Sequence, residues 1–104
     1  MTFPLTHPAA SELELSAVLH ALSDPIRLDI VRMLAEAGPR TCGTFSVPVA
    51  KSTLSHHFRV LREAGVTLTE PDGTQRVVSL RRADLDARFP GLLDAVLAAA
   101  PIPA

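Results

Sequence analysis

From Lys51 to Gly65 the chain allows one regular structure. Lys51-Ser52-Thr53-Leu54-Ser55-His56-His57-Phe58-Arg59-Val60-Leu61-Arg62-Glu63-Ala64 reads as a helix, and Gly65 follows as its C-terminal cap. At about 100° per residue, Leu54, Phe58 and Leu61 share one narrow face. Ser52, Ser55, His56 and Arg59 project from the other side. That outer face is small, hydroxyl-bearing and basic, with no carboxylate before Glu63. Short donors near a helix N-terminus and an arginine two turns on suit the major groove of DNA. From spacing alone, a solvated surface fits the same face equally well.

Composition narrows what surrounds this helix. The only aromatics in 104 residues are four Phe, so Leu, Ala and Val must fill the core, which favours helix packing in a single domain. No apolar run approaches the roughly 20 residues that span a bilayer, so no membrane partner is expected. The first eight residues lack the basic and apolar regions of a secretion signal, and the single cysteine, Cys42, excludes an intrachain disulfide. A reducing cytoplasm fits best.

The net charge of −1 looks poor for a nucleic-acid binder, but it is zoned. Residues 1–50 carry −2, residues 51–82 carry +3 and residues 83–104 carry −2. The positive zone surrounds the helix just described.

Local signals order the remainder. Residues 1–10 hold two prolines and little periodicity and are expected to form a flexible arm, with one folded domain over 11–100. Ser11 and Glu14 have capping-box spacing and open a helix to about Leu22, with Leu15, Val18, Leu19 and Leu22 as its apolar stripe. Asp24 is an N-cap and Pro25 a first helical residue for a second helix running to about Ala37. Ile26, Ile30, Met33, Leu34 and Ala37 face inward on it. Thr41–Phe45 could form one short helical turn, and Pro48 prevents a longer helix. After Gly65, Val66–Glu70 and Gln75–Leu80 read as strands joined through Pro71-Asp72-Gly73-Thr74, a β-hairpin with Arg76 beside its tip. Asp84–Phe89 is helical, Pro90-Gly91 interrupts it, and Leu92, Leu93, Val96 and Leu97 continue an apolar face. The tail Pro101-Ile102-Pro103-Ala104 is non-helical. The result is mostly α with a small hairpin, in the order α-α-α-α-β-β-α of a winged helix-turn-helix.

Two blocks carry a resemblance. Ala21-Leu22-Ser23-Asp24-Pro25-Ile26-Arg27-Leu28 resembles the "ALSDPTRL" segment of arsenic-repressor-type (ArsR/SmtB) transcription regulators, and Ser52 to Val66 resembles their "STVSHHLKVLREAGLV" recognition-helix block. The resemblance covers roughly 12–98. It implies a homodimer, built from the first and last helices, that binds an inverted repeat in double-stranded DNA. The expected contacts are Lys51, Ser52, Thr53, Ser55, His56, His57, Arg59 and Arg76. Of these, Lys51 and the first amides of the helix suit a phosphate, Arg59 suits phosphate or guanine, and Arg76 suits the backbone or minor groove. His57 lies at the border of the apolar face and suits packing better than base contact.

Members of this family commonly respond to a metal ion, and here the sequence departs from their patterns. The Cys-x-Cys of the thiolate sensors is matched by Cys42 alone, which reads more readily as a small buried residue. Asp84 and Asp86 fill one ligand pair of the last-helix sensors, but the second pair falls near Leu97 and Ala100, which cannot bind metal. His7 or His20 could join Asp84 or Asp86 across a dimer in a site suited to nickel or zinc. The alternative is a regulator without its own metal site, which takes its signal from a partner protein. No constellation for enzyme chemistry is present.

Overall fold

The computed structural model describes residues 5–100. The expectations for residues 1–4 of the arm and for the 101–104 tail lie outside them. In chain order the elements are a 3-10 turn at Ala10–Glu12, α1 (Leu15–Ala21), α2 (Pro25–Ala37), β1 (Arg40–Thr41), a second 3-10 turn at Cys42–Thr44, α3 (Lys51–Ala64), β2 (Thr67–Asp72), β3 (Gln75–Leu80), α4 (Arg82–Arg88) and α5 (Leu92–Ala99). The sheet is antiparallel in the order β1-β3-β2. No helix among the described residues is long and apolar enough to cross a membrane.

The α2 start forms as its residues dictate. The Asp24 carboxylate accepts from the amides of Ile26 (2.8 Å) and Arg27 (3.2 Å), and Pro25 occupies the first helical position, where its missing N–H costs nothing. At the far end of α3, Gly65 is left-handed (φ 84°), and the Val66 amide returns to the Leu61 carbonyl at 3.0 Å. A Cβ on Gly65 would also run into Leu13 Cδ2. The hairpin register pairs Asp72 with Gln75, leaving Gly73 (φ 63°) and Thr74 as a two-residue turn. Pro71 sits in β2, an edge strand, where a missing donor is tolerated.

The fold departs from the expectations in three places. The Ser11–Glu14 capping box does not form. Instead the Ala9 amide donates to Glu12 at 2.9 Å, which closes the first 3-10 turn and lets Leu13 (1% exposed) drop into the core ahead of α1. The short helical turn expected within Thr41–Phe45 is present as the 3-10 turn at Cys42–Thr44. Ahead of it β1 adds a third strand, pairing Arg40 with Val78 and Thr41 with Val77. Within the segment expected to be a flexible arm, His7 Nε2 accepts the Thr69 amide at 3.0 Å and the Pro8 carbonyl accepts from Arg81 at 2.7 Å.

The core gathers Leu13, Val18, Ile30, Val31, Leu34, Leu61, Val66, Val78, Leu85 and Leu93 between the helices and the inner face of the sheet. Of the α2 residues expected to face inward, Ala37 is exposed and Val31 takes a core place. Two leucines of α1 stay outside: Leu15 is 47% and Leu19 43% exposed.

Candidate nucleic-acid interface

The outer face of α3 depends on how α3 is held. Its apolar side, Phe58 and Leu61, is buried against the core, and Leu54 is half-buried. A polar clamp fixes it from α2. Arg27 is only 7% exposed, and its guanidinium serves three partners. Nε donates to the Ala21 carbonyl (2.7 Å) and Nη2 to the His20 carbonyl (3.2 Å), which closes the C-terminal end of α1. Nη1 reaches Nδ1 of His57 at 3.1 Å. A guanidinium can only donate, so Nδ1 of His57 is the acceptor and its proton resides on Nε2. Nε2 in turn lies 4.0 Å from Asp24 Oδ1. Burial works to raise the pKa of Asp24. The hydrogen bonds from the Arg27 and Ile26 amides and the charge of Arg27 together overcome it and hold the carboxyl below its ordinary value.

With α3 seated this way, Lys51, Ser52, Thr53, Ser55, His56 and Arg59 are all exposed. Arg59 Nη2 lies 3.4 Å from His56 Nδ1, so these two side chains share one patch. The amides of Lys51, Ser52 and Thr53 begin the helix, and no side chain caps them at Ala50. Arg76, exposed on β3, stands opposite Pro71 near the wing tip. His57 does not belong to this face. It is 7% exposed and bonded to Arg27, so it cannot reach a groove without leaving the core; its place in the contact set is corrected to a positioning one.

Sequence reasoning missed Arg27. Its signal was available, since positions 27, 31 and 34 share a helix face with buried Val31 and Leu34, and a charge on that stripe has to find partners.

Three of the residues considered for metal binding, His7, Asp84 and Asp86, have other partners. Asp84 pairs with Arg81 at 3.1 Å, Asp86 with Arg82 at 3.5 Å, and Arg82 also pairs with Asp94. His7 uses Nε2 to accept the Thr69 amide. Burial and the charges of Arg62 and Arg81 lower its pKa. His20 is exposed. Cys42 is half-buried, and burial pushes its thiol pKa up against the opposing pull of Arg76. Among the described residues no three of His, Cys, Asp or Glu come together in one chain. Among the described residues, the donors of one chain do not assemble into a metal site.

A family model described as a helix-turn-helix domain matches residues 22–70. The chain is 40% identical over 80 residues to the HTH-type transcriptional regulator YceK of Bacillus subtilis, covering 74% of this chain and 80% of that one. It is 32% identical over 74 residues to the arsenical resistance operon repressor of Staphylococcus xylosus, covering 70% and 71%. Over 69 residues it is 38% identical to the HTH-type transcriptional regulator Rv2034 of Mycobacterium tuberculosis, covering 64% of each chain. Its fold matches the crystal structure of an ArsR family transcriptional regulator, RHA00566, with a TM-score of 0.65 at 23% identity, over 78% of this chain and 90% of that one.

Proposed function

The chain belongs to the ArsR-type helix-turn-helix family of DNA-binding transcriptional regulators, and from that premise we propose that it binds an inverted-repeat operator as a homodimer in the cytoplasm. The observation that carries this reading is the exposed, basic and hydroxyl-bearing face of α3, set beside Arg76 on the wing. Lys51 and the first amides of α3 hold a phosphate, Ser52, Thr53, Ser55, His56 and Arg59 face the major groove, and Arg76 follows the flanking backbone. Supporting the dimer, α1 exposes Leu15 and Leu19, and α5 leaves Leu92, Val96 and Leu97 half-buried. Two copies joined there present two recognition helices to half-sites about 34 Å apart.

Fluorescence anisotropy against the chain's own upstream DNA and against a scrambled duplex tests this. Specific binding that weakens steeply with salt is expected. Equal affinity for both duplexes would remove the operator reading. The arginine pairs on Asp84 and Asp86 favour a signal other than nickel or zinc at those acids, such as a regulatory partner protein. Adding either metal to the same assay separates the two.

A further inference from the structure

A cleft of about 460 Å³ opens between the first turns of α3, the 42–49 segment and the wing. Its floor is apolar. Phe45, Leu54 and Phe58 line it, with the Phe45 and Phe58 rings edge to face at 5.1 Å between centroids. Its rim is cationic, formed by Lys51, Arg62 and Arg76. Among the described residues that line it there is no Asp or Glu. Volume and lining are those of a small-molecule site, apolar walls with a few convergent polar groups.

Charge complementarity selects the occupant. A neutral apolar molecule would cover the floor and leave three cations without a counter-charge. An inorganic anion would answer the cations and leave the aromatic floor wet. A molecule with an apolar body and one anionic end satisfies both, and guanidinium groups hold a carboxylate in a planar fork. We propose that this cleft binds a small organic anion with an apolar body, such as a medium-chain or aryl carboxylate, and that its binding releases the protein from DNA. The second half rests on the DNA-binding reading above. Lys51, Ser55 and Arg76 line the cleft and belong to the proposed DNA contacts, so an anion seated there takes their charge and sets its own against the phosphates.

Calorimetric titration of the full chain without DNA tests the site, with sub-millimolar decanoate as the probe and decanol and inorganic phosphate as controls. Saturable decanoate binding is expected, with both controls at least about tenfold weaker, since each lacks one half of the recognition. Arg62→Gln should weaken decanoate by about tenfold, and Val49→Trp, which fills the cleft, should abolish it. Arg62 is not a proposed DNA contact, so Arg62→Gln should keep DNA affinity while needing about tenfold more decanoate for the same response. The comparison of the three probes on the unmodified chain decides even where a variant fails to fold. No saturable decanoate binding, phosphate binding as tight as decanoate, or affinity unchanged in both folded variants would overturn the site. Decanoate bound without effect on DNA affinity would overturn the release. Because the titration contains no DNA, a negative result leaves the operator reading untouched. Lost DNA specificity with decanoate binding intact would strike that reading alone.

Discussion

Nη1 of Arg27 lies 3.1 Å from Nδ1 of His57, which joins the first turn of α2 to the buried side of α3. Arg27 belongs to one of the two sequence blocks that carried the family resemblance and His57 to the other. The two blocks are thus halves of one contact. Arg27→Met would leave His57 Nδ1 and the Ala21 carbonyl without their donor, while the His20 carbonyl keeps the hydroxyl and amide of Ser23. It should cost about 2–4 kcal/mol in urea unfolding, because stranded buried polar groups lose their full desolvation energy. Arg27→Lys should fall between, since an ammonium cannot span three acceptors in a plane. Wild-type stability in Arg27→Met would show that the contact does not hold α3.

Asp24→Ala removes the cap of α2 and should cost about 1 kcal/mol near neutral pH. The pH dependence has a definite sign. Asp24 titrates below its ordinary value of 3.8 in the folded chain, so the unfolded chain binds the proton more tightly. The carboxylate's contribution is complete above the unfolded value and disappears as pH falls through the folded one. Unfolding curves of the two proteins should therefore converge in acid; a gap that widens there would contradict the assignment.

Gly65→Ala meets two obstacles at once, a φ of 84° and the side chain of Leu13. The backbone term is about 1 kcal/mol and overpacking adds about 1–3, so thermal or urea unfolding should register about 2–4 kcal/mol. A loss below about 1 kcal/mol would mean that Leu13 moves aside freely.

Arg59→Ala should weaken specific DNA binding by about 1–3 kcal/mol if the guanidinium reads a base, with stability unchanged because the side chain is exposed. Arg76→Ala should weaken all duplexes alike and reduce the salt slope by about 1, as expected for one phosphate contact. His57→Ala should show the reverse pattern, with lower stability first and lower affinity as its consequence. Anisotropy and unfolding measured on the same preparations distinguish the three.

Leu15→Glu with Leu19→Glu places charges on an exposed part of α1. Sedimentation should show a monomer whose helix content is intact and whose operator affinity is lost. A dimer that survives both changes would move the interface elsewhere.

Much of the fold was legible because its punctuation is local. Asp24-Pro25, Gly65 and Gly73 each impose a backbone conformation through their own chemistry; the first two act where expected, and the hairpin turns at Gly73-Thr74, one residue later than a turn centred on Asp72-Gly73. Long-range pairing left weaker signs. β1 is two residues long, too short for any alternation, and exists only because β3 offers an edge. The start of α1 was misread because Glu12 and Glu14 offer competing capping geometries, and burial of Leu13 decides between them. At the interface, helical periodicity put Ser52, Ser55, His56 and Arg59 on the outer face. It left His57 at a border that only the position of Arg27 resolves.

The short strand β1 has a mechanical consequence. It ties the segment leading into α3 to the same strand, β3, that carries Arg76. On the DNA-binding reading proposed above, α3 and Arg76 then act as two jaws of a caliper braced through one strand. Such an instrument does not adjust to the stretch of DNA between its jaws. In the homodimer proposed above, tolerance for operators of differing geometry would then come from the seam between subunits, where one caliper can pivot against the other.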